Sequence, residues 1–297
     1  MMHLCVGVLL LVFNLSRYEC FKGPLLGQKQ RGTIYDRSSI VQFAASNKLS
    51  ESVAMPSSAL APKRDNVLEK GAIFLLSYLL CRLIPEDSAL SSDGFKYIRP
   101  GMEFSGFCSV AKLLLRSSNP EIVKTKIVNL LLALMPLKVR EFFRKTYKEN
   151  SRLVCEQSSE WIGFGFLTWL IGPTERFNIG IDAVPKAKGG GLKEEAGEAG
   201  AGEKEQWRSG TKLLECRFLQ ESGCKSTCLN LCKGPTENLF NEQLGLPLRM
   251  TPNYEDCSCT FEFGLDPLPV DEDPVYATPC YLNCSLTKDK KDSFRCN

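Results

Sequence analysis

The sequence predicts an α+β fold, in which a mainly helical amino-terminal part packs with a small antiparallel sheet and a cysteine-rich helical module. Helix start and stop signals follow one another between residues 66 and 150. Apolar residues alternate, as in strands, over 177–184, 211–219 and 256–264. Nine of the 14 cysteines lie in the last 82 residues, so one module holds most of them.

Two leader-like segments precede the predicted domain. Residues 1–20 contain a short apolar run, which is typical of a signal peptide and too short to cross a bilayer. Residues 21–60 have the basic, serine-rich and acid-poor composition of a disordered transit segment. We therefore expect a plastid protein that is imported through a bipartite signal-plus-transit leader. The alternative is the secretory pathway, with a plain signal peptide and a disordered pro-segment.

Residues 61–184 are predicted to form the helical part. The first helix spans 66–84, with Asn66 as N-cap and Pro85 as its end. Its apolar core is too short for a membrane span, which favours a buried helix. A second helix is expected over 107–116.

A further start signal lies at Asn119, an N-cap residue that is followed by proline at the first helical position. This helix is expected to end at Pro136, and an amphipathic helix should cover 137–150.

An aromatic segment spans residues 161–170, and two interpretations of it stay open. It is either a buried element that closes the helical bundle or the wall of a pocket for a long apolar ligand. The candidate pocket residues are Trp161, Phe164, Phe166 and Trp169.

Residues 185–208 are a low-complexity loop of Gly, Ala, Glu and Lys, which cannot bury enough apolar area to order itself. The flanking segments 177–184 and 211–219 alternate like strands, so the loop is predicted to be an insertion in a hairpin.

Composition excludes several classes of function. The net charge of +3 is small, and no basic face with interleaved aromatic residues indicates a nucleic-acid partner. The single histidine, His3, lies in the leader-like segment, so histidine-based catalytic triads and zinc sites are excluded from the rest of the chain. Any transition-metal site would need cysteine as its dominant ligand.

The module at 209–297 contains the pattern C-x3-C-x3-C at Cys224, Cys228 and Cys232. On a helix that ends at Gly234, these positions form one stripe of sulfurs. The stripe suits an iron, iron–sulfur or zinc site, structural disulfides, or free thiols, and the spacing alone does not decide between them.

The segment Asp256–Gly264 is predicted to be a strand that returns to this helix. In that strand Cys257 and Cys259 would point to the same side.

Three blocks of this module carry a resemblance. They are CRFLQESGCKSTCLNLCKGPTE from Cys216, GLPLRMTPNYEDCSC from Gly245, and a distal DP…PC ending at Cys280. Together they resemble the carboxy-terminal domain of the DWARF27 β-carotene isomerase family.

The resemblance implies a plastid isomerase that contains iron, either mononuclear or in an iron–sulfur cluster, and converts all-trans to 9-cis β-carotene. In land plants that step opens strigolactone synthesis. The resemblance implies a carotenoid substrate, and we add an expected peripheral contact with plastid membranes. No catalytic residue is assigned. The cysteines that match the family, and are predicted as metal ligands, are Cys216, Cys224, Cys228, Cys232, Cys259 and Cys280; Cys257 stands where the family has another residue.

The barrier to double-bond rotation also bears on the chemistry that such an isomerase needs. Rotation about a conjugated double bond requires its π overlap to be broken, and one-electron exchange or coordination of the polyene lowers that barrier without net redox change. The near-absence of histidine favours such a route over proton chemistry. The alternative function is a non-catalytic plastid protein of the same fold that binds metal or carries thiols.

Overall fold

A computed structural model describes residues 64–85, 102–163, 167–181, 204–278 and 280–281. The predictions for the leader, at residues 1–60, and for the insert from 185 to 203 lie outside the described residues. The same holds for two of the four aromatic pocket candidates, Phe164 and Phe166.

Among the described residues, five long helices come first: α1 (Val67–Cys81), α2 (Phe104–Ser117), α3 (Pro120–Leu134), α4 (Leu137–Glu149) and α5 (Ser151–Gly163). The predicted caps are confirmed. The Asn66 side chain accepts from the Glu69 N–H at 2.9 Å, and the Glu69 carboxylate accepts from the Asn66 N–H at 2.8 Å, which forms a capping box. Asn119 caps α3 through a single hydrogen bond, in which its side chain accepts from the Glu121 N–H at 2.9 Å, and proline stands at the first helical position.

A short helix, α6 (Thr168–Ile171), leads into a four-stranded antiparallel sheet of order β1-β2-β4-β3. The strands are β1 (Thr174–Ile181), β2 (Glu205–Leu213), β3 (Leu248–Pro252) and β4 (Cys259–Phe263). The predicted α+β class and the predicted hairpin around the insert are confirmed, although both hairpin strands begin earlier than the alternation suggested. Helix α5 covers one face of the sheet, where the Ser159 hydroxyl donates to the Gly210 carbonyl at 3.0 Å.

The module after β2 begins with α7 (Arg217–Ser222), whose first three residues belong to the segment 211–219 that was predicted to alternate like a strand, and α10 (Pro274–Ala277) is its last described helix. Between α7 and β3 the chain stays helical from α8 (Lys225–Thr227) through α9 (Gly234–Asn238) to Leu244. Two π-helical turns flank α9, Cys228–Lys233 and Leu239–Leu244.

The predicted helix end at Gly234 is therefore wrong. Gly234 has φ −57° and donates its N–H to the Leu229 carbonyl, five residues back. A Cβ at this glycine would lie 2.9 Å from that carbonyl oxygen, so only glycine fits the turn without a shift. The widened turn also accommodates Pro235, which has no N–H to donate. The helical stretch ends instead at Gly245, whose φ of +65° favours glycine.

A candidate thiol cluster between the sheet and the helical stretch

The end of β2, the start of β4 and the first π-helical turn bring four cysteines together. Leu213 pairs with Cys259 in the sheet, and Cys216 follows three residues later. The N–H of Cys216 donates to the Cys257 carbonyl at 2.7 Å, which fixes the chain after β2 against the segment before β4. Cys228 begins the π-helical turn. We call Cys216, Cys228, Cys232 and Cys259 the thiol cluster.

The electrostatics of the thiols show that the four lie near one another. Burial raises the pKa of Cys216 to about 11 and that of Cys228 to about 12, and Cys216 contributes to the shift at Cys228. Burial also holds the pKa of Cys232 well above its usual range, with further contributions from Cys228 and Cys216. At Cys259 the other three thiols all add to the effect of burial. Each thiol therefore disfavours ionisation of its neighbours, and a bound cation would relieve that repulsion.

The donor chemistry of the cluster fits a thiophilic metal such as iron, because the sulfurs of three buried cysteines and of the half-buried Cys232 share one small region. Within the described ranges, however, no three Cys, His, Asp or Glu side chains form a group that could hold an ion. Ligation would therefore require the thiols to move toward a common point.

Two of the predicted ligands differ from the expected arrangement. Cys224 is fully buried, but it is the N-cap of α8 with an extended backbone, so the predicted stripe of three sulfurs on one helix is wrong. Cys280 is joined in a disulfide, which removes its thiolate from the predicted set while that bond is intact.

Cys257 is not in a strand. Its φ is +57°, a left-handed conformation that breaks the alternation, so Cys257 and Cys259 are not two residues of one strand as predicted. The Cys257 sulfur lies 3.6 Å from the Tyr281 hydroxyl.

The remaining described aromatic candidates do not form one pocket. Trp161 lies in the last turn of α5 and is 54% exposed, whereas Trp169 of α6 is buried with its ring 6.3 Å from that of Phe104. Trp169 is therefore a core residue, as the first of the two interpretations holds.

Two buried lysines beside the cluster were not singled out from the sequence. Lys233 lies 2.7 Å from a Glu237 carboxylate oxygen and 3.0 Å from one of Asp273, and it donates to the Met250 carbonyl at 2.7 Å. Lys225 donates to the carbonyls of the segment that carries α10, at Tyr276 with 3.3 Å and at Thr278.

The surroundings of Lys225 set its charge. Burial lowers the pKa of Lys225 to about 8, and the nearby Cys228 and Asp273 oppose the shift. Its ammonium nitrogen is 5.6 Å from the centre of the Tyr254 ring. In the sequence both lysines look like ordinary solvated charges, and no periodic signal distinguishes them.

The segment that carries α10 lies beside the thiol cluster, because it binds both of the buried lysines next to the cluster. Asp273 anchors its beginning through Lys233, and Lys225 holds its middle. The Tyr281 hydroxyl donates to the Tyr254 carbonyl at 2.9 Å near its end. We call the described residues of 273–281 the covering segment.

Among the described residues, two surface clefts lie away from the thiol cluster. One lies at residues 149–156, and the other, of about 390 Å³, is lined by Trp207 among others. No cluster thiol lines either cleft.

Comparison with known proteins shows what this region is similar to. Residues 169–272 match the family model for the β-carotene isomerase D27-like carboxy-terminal domain. A β-carotene isomerase D27, chloroplastic, from Medicago truncatula is 32% identical over 124 residues, which are 42% of this chain and 41% of that protein. Its namesake from Arabidopsis thaliana is 31% identical over 120 residues, which are 40% and 38% of the two chains.

The chain thus spans about two fifths of the length of these curated relatives. No solved structure matches. The resemblance read from the cysteine spacings is confirmed: residues 169–272 match the carboxy-terminal domain of the β-carotene isomerase D27-like family.

Proposed function

We propose that this protein is a carotenoid cis/trans isomerase that converts all-trans to 9-cis β-carotene and depends on iron held by the thiol cluster. The observation that carries the proposal is a group of four neighbouring thiols, three of them buried, within the segment that matches the D27-like domain. The relatives' names, with the word chloroplastic, support a carotenoid substrate and a plastid location.

The chain's own residues perform three tasks in this proposal. The helical stretch, β4 and the chain after β2 hold the four sulfurs together, and burial keeps water from three of them. The π-helical turn sets the spacing of Cys228 and Cys232. Lys225 and Lys233 place two cations beside thiols that must ionise to bind a metal. When bound, iron would supply the one-electron or coordination chemistry that weakens a polyene double bond.

The isomerisation itself has a simple balance. Substrate and product contain the same atoms and electrons, so no group leaves and no net oxidation occurs. The protein must therefore select one double bond and shield the activated polyene from solvent. The covering segment binds both lysines beside the thiols, and in this proposal it moves to admit a polyene.

The second candidate is a non-catalytic metal- or thiol-binding protein of the same fold. The absence, in the described side chains, of any three donors that could share an ion favours the thiol-carrying form of this candidate over its metal-binding form.

Anaerobic purification, iron analysis and chromatography of carotene isomers separate the two functions. Wild type should contain iron and produce 9-cis β-carotene. Cys228→Ser should lose both, whereas Cys81→Ser, a buried thiol of α1 outside the cluster, should keep both. Full activity without iron would refute the metal, and bound iron without isomerisation of any carotenoid would favour the second candidate.

A further inference from the structure

Helix α1 is mostly apolar, but only part of its surface is covered. Its sequence is VLEKGAIFLLSYLLC, and its apolar core predicted a buried helix. The structure buries Ile73, Ser77, Leu80 and Cys81. On the other side Val67 and Leu68 are each 85% exposed, Phe74 46% and Tyr78 45%. Exposed aromatic and aliphatic residues grouped on one helix face indicate a binding surface.

The exposed residues form one stripe. At about 100° per residue, Val67, Phe74 and Tyr78 lie within about 40° of one another around the helix axis. Gly71 lies in the same stripe, and a Cβ there would meet nothing within 4 Å. The stripe therefore presents a continuous apolar strip along most of the helix length.

The charges around the stripe are basic. Arg64, Lys70 and Arg82 are exposed. The two acids of the region are engaged elsewhere: Asp65 accepts from Arg217 at 2.6 and 3.0 Å, and Glu69 completes the capping box. An exposed apolar stripe with flanking cations is typical of a helix that lies in the interface of a membrane with anionic headgroups.

We propose that α1 docks parallel to the surface of an anionic lipid bilayer, with Phe74 and Tyr78 inserted at the boundary between headgroups and acyl chains. No helix in the described ranges is long and apolar enough to cross a membrane, so the contact is peripheral. The inference deepens the proposed function, because a hydrocarbon substrate is dissolved in the bilayer on which the protein would dock.

The test uses the full chain and vesicles of phosphatidylcholine with or without phosphatidylglycerol. Wild type should sediment with the anionic vesicles, and added salt should weaken the binding. Phe74→Ser should lower the partition coefficient at least about tenfold, since one aromatic side chain returns to water. The matched control is Phe142→Ser, which changes an aromatic residue of α4 that is 64% exposed and should leave binding unchanged.

A second arm separates this proposal from the function. Lys70→Gln with Arg82→Gln should reduce binding to anionic vesicles only. If the protein is an isomerase, Phe74→Ser should lose activity on carotene held in vesicles and keep it on carotene in detergent micelles. If wild type isomerises neither preparation, the function fails while vesicle binding still tests the docking.

Three results would overturn the docking. They are equal binding of Phe74→Ser and wild type to anionic vesicles, an equal loss in Phe142→Ser, and a wild-type dimer in solution that Phe74→Ser dissolves, which would assign the stripe to a second copy. Both serine substitutions are at exposed positions, and unchanged thermal unfolding confirms that each variant is folded.

Discussion

Replacement of Lys233 by methionine tests the buried charge group beside the thiol cluster. The lysine is 1% exposed and forms ion pairs with two carboxylates, those of Glu237 and Asp273. Methionine conserves much of the volume and removes the cation, so two buried carboxylates lose their partner. Loss of one member of a buried ion pair costs about 3–5 kcal/mol. At about 2–4 °C per kcal/mol for a domain of this size, the melting temperature should fall by roughly 6–20 °C.

The loss should depend on pH, and its sign follows from linkage. Burial raises the pKa of Glu237 even with Lys233 present. Removal of the Lys233 ammonium should raise the pKa of Glu237 further, because the cation favours the ionised carboxylate. The folded variant then binds more protons than the unfolded chain, so its free energy of unfolding falls as pH rises through the raised pKa. Lys233→Met should therefore be closer to wild type at pH 5 than at pH 7.

Urea unfolding monitored by circular dichroism at both pH values measures this difference. Lys212→Met, at an exposed position of β2, is the control and should change stability little. Addition of Glu237→Gln and Asp273→Asn to the Lys233 variant should restore part of the loss, because no buried charge then remains unpaired. A loss below about 1 kcal/mol at pH 7, or one that grows at pH 5, would refute the reasoning.

Three further changes test other parts of the fold. Gly245→Ala should lower the free energy of unfolding by about 1 kcal/mol, because the φ of +65° strains alanine, whereas Gly71→Ala in the open face of α1 should raise it by up to about 1 kcal/mol; denaturant unfolding that gave the same sign for both would contradict this. Tyr281→Phe should destabilise by about 1 kcal/mol through the lost hydrogen bond to the Tyr254 carbonyl and speed the labelling of the cluster thiols under native conditions; unchanged labelling would show that the covering segment does not limit access. In the metal-free chain the alkylation of Cys228, followed by mass spectrometry, should stay slow from pH 7 to 9 because its pKa is about 12, and reaction at pH 7 at the rate of an unfolded control would show that the thiol ionises more readily.

Local signals in the sequence predicted much of the fold. Asn66 and Asn119 predicted the starts of two helices, because an N-cap side chain binds a backbone N–H only two or three residues further along the chain. Helix α5 was missed, since its sequence SRLVCEQSSEWIG has fewer apolar residues than α1 or α3 and the strand β2 against which it packs is remote in sequence. Gly234 was taken as a helix end because glycine followed by proline usually is one, and only the surrounding packing sustains a π-helical turn there.

The candidate site was predicted in part for similar reasons. The spacing of Cys228 and Cys232 places them on adjacent turns, which is a local relation. The approach of Cys216 and Cys259 depends on the pairing of β2 with β4, which no spacing encodes. The burial of Lys225 and Lys233 depends on acceptors supplied by the covering segment, some 40 to 50 residues further along the chain. The metal ligands stay a prediction.

The ion pair between Asp65 and Arg217 has a consequence for how such a module can be handled. The two residues are 152 positions apart, and their paired oxygens and nitrogens join the start of α1 to the start of α7. The segment that matches the family model begins only at residue 169, after the helix that covers the sheet. A fragment that begins at residue 169 would keep the thiols but lose helices α2 to α5, which pack against the sheet, α7 and the helical stretch. The segment defined by similarity is thus smaller than the unit that folds, and expression of the domain should include α1 to α5.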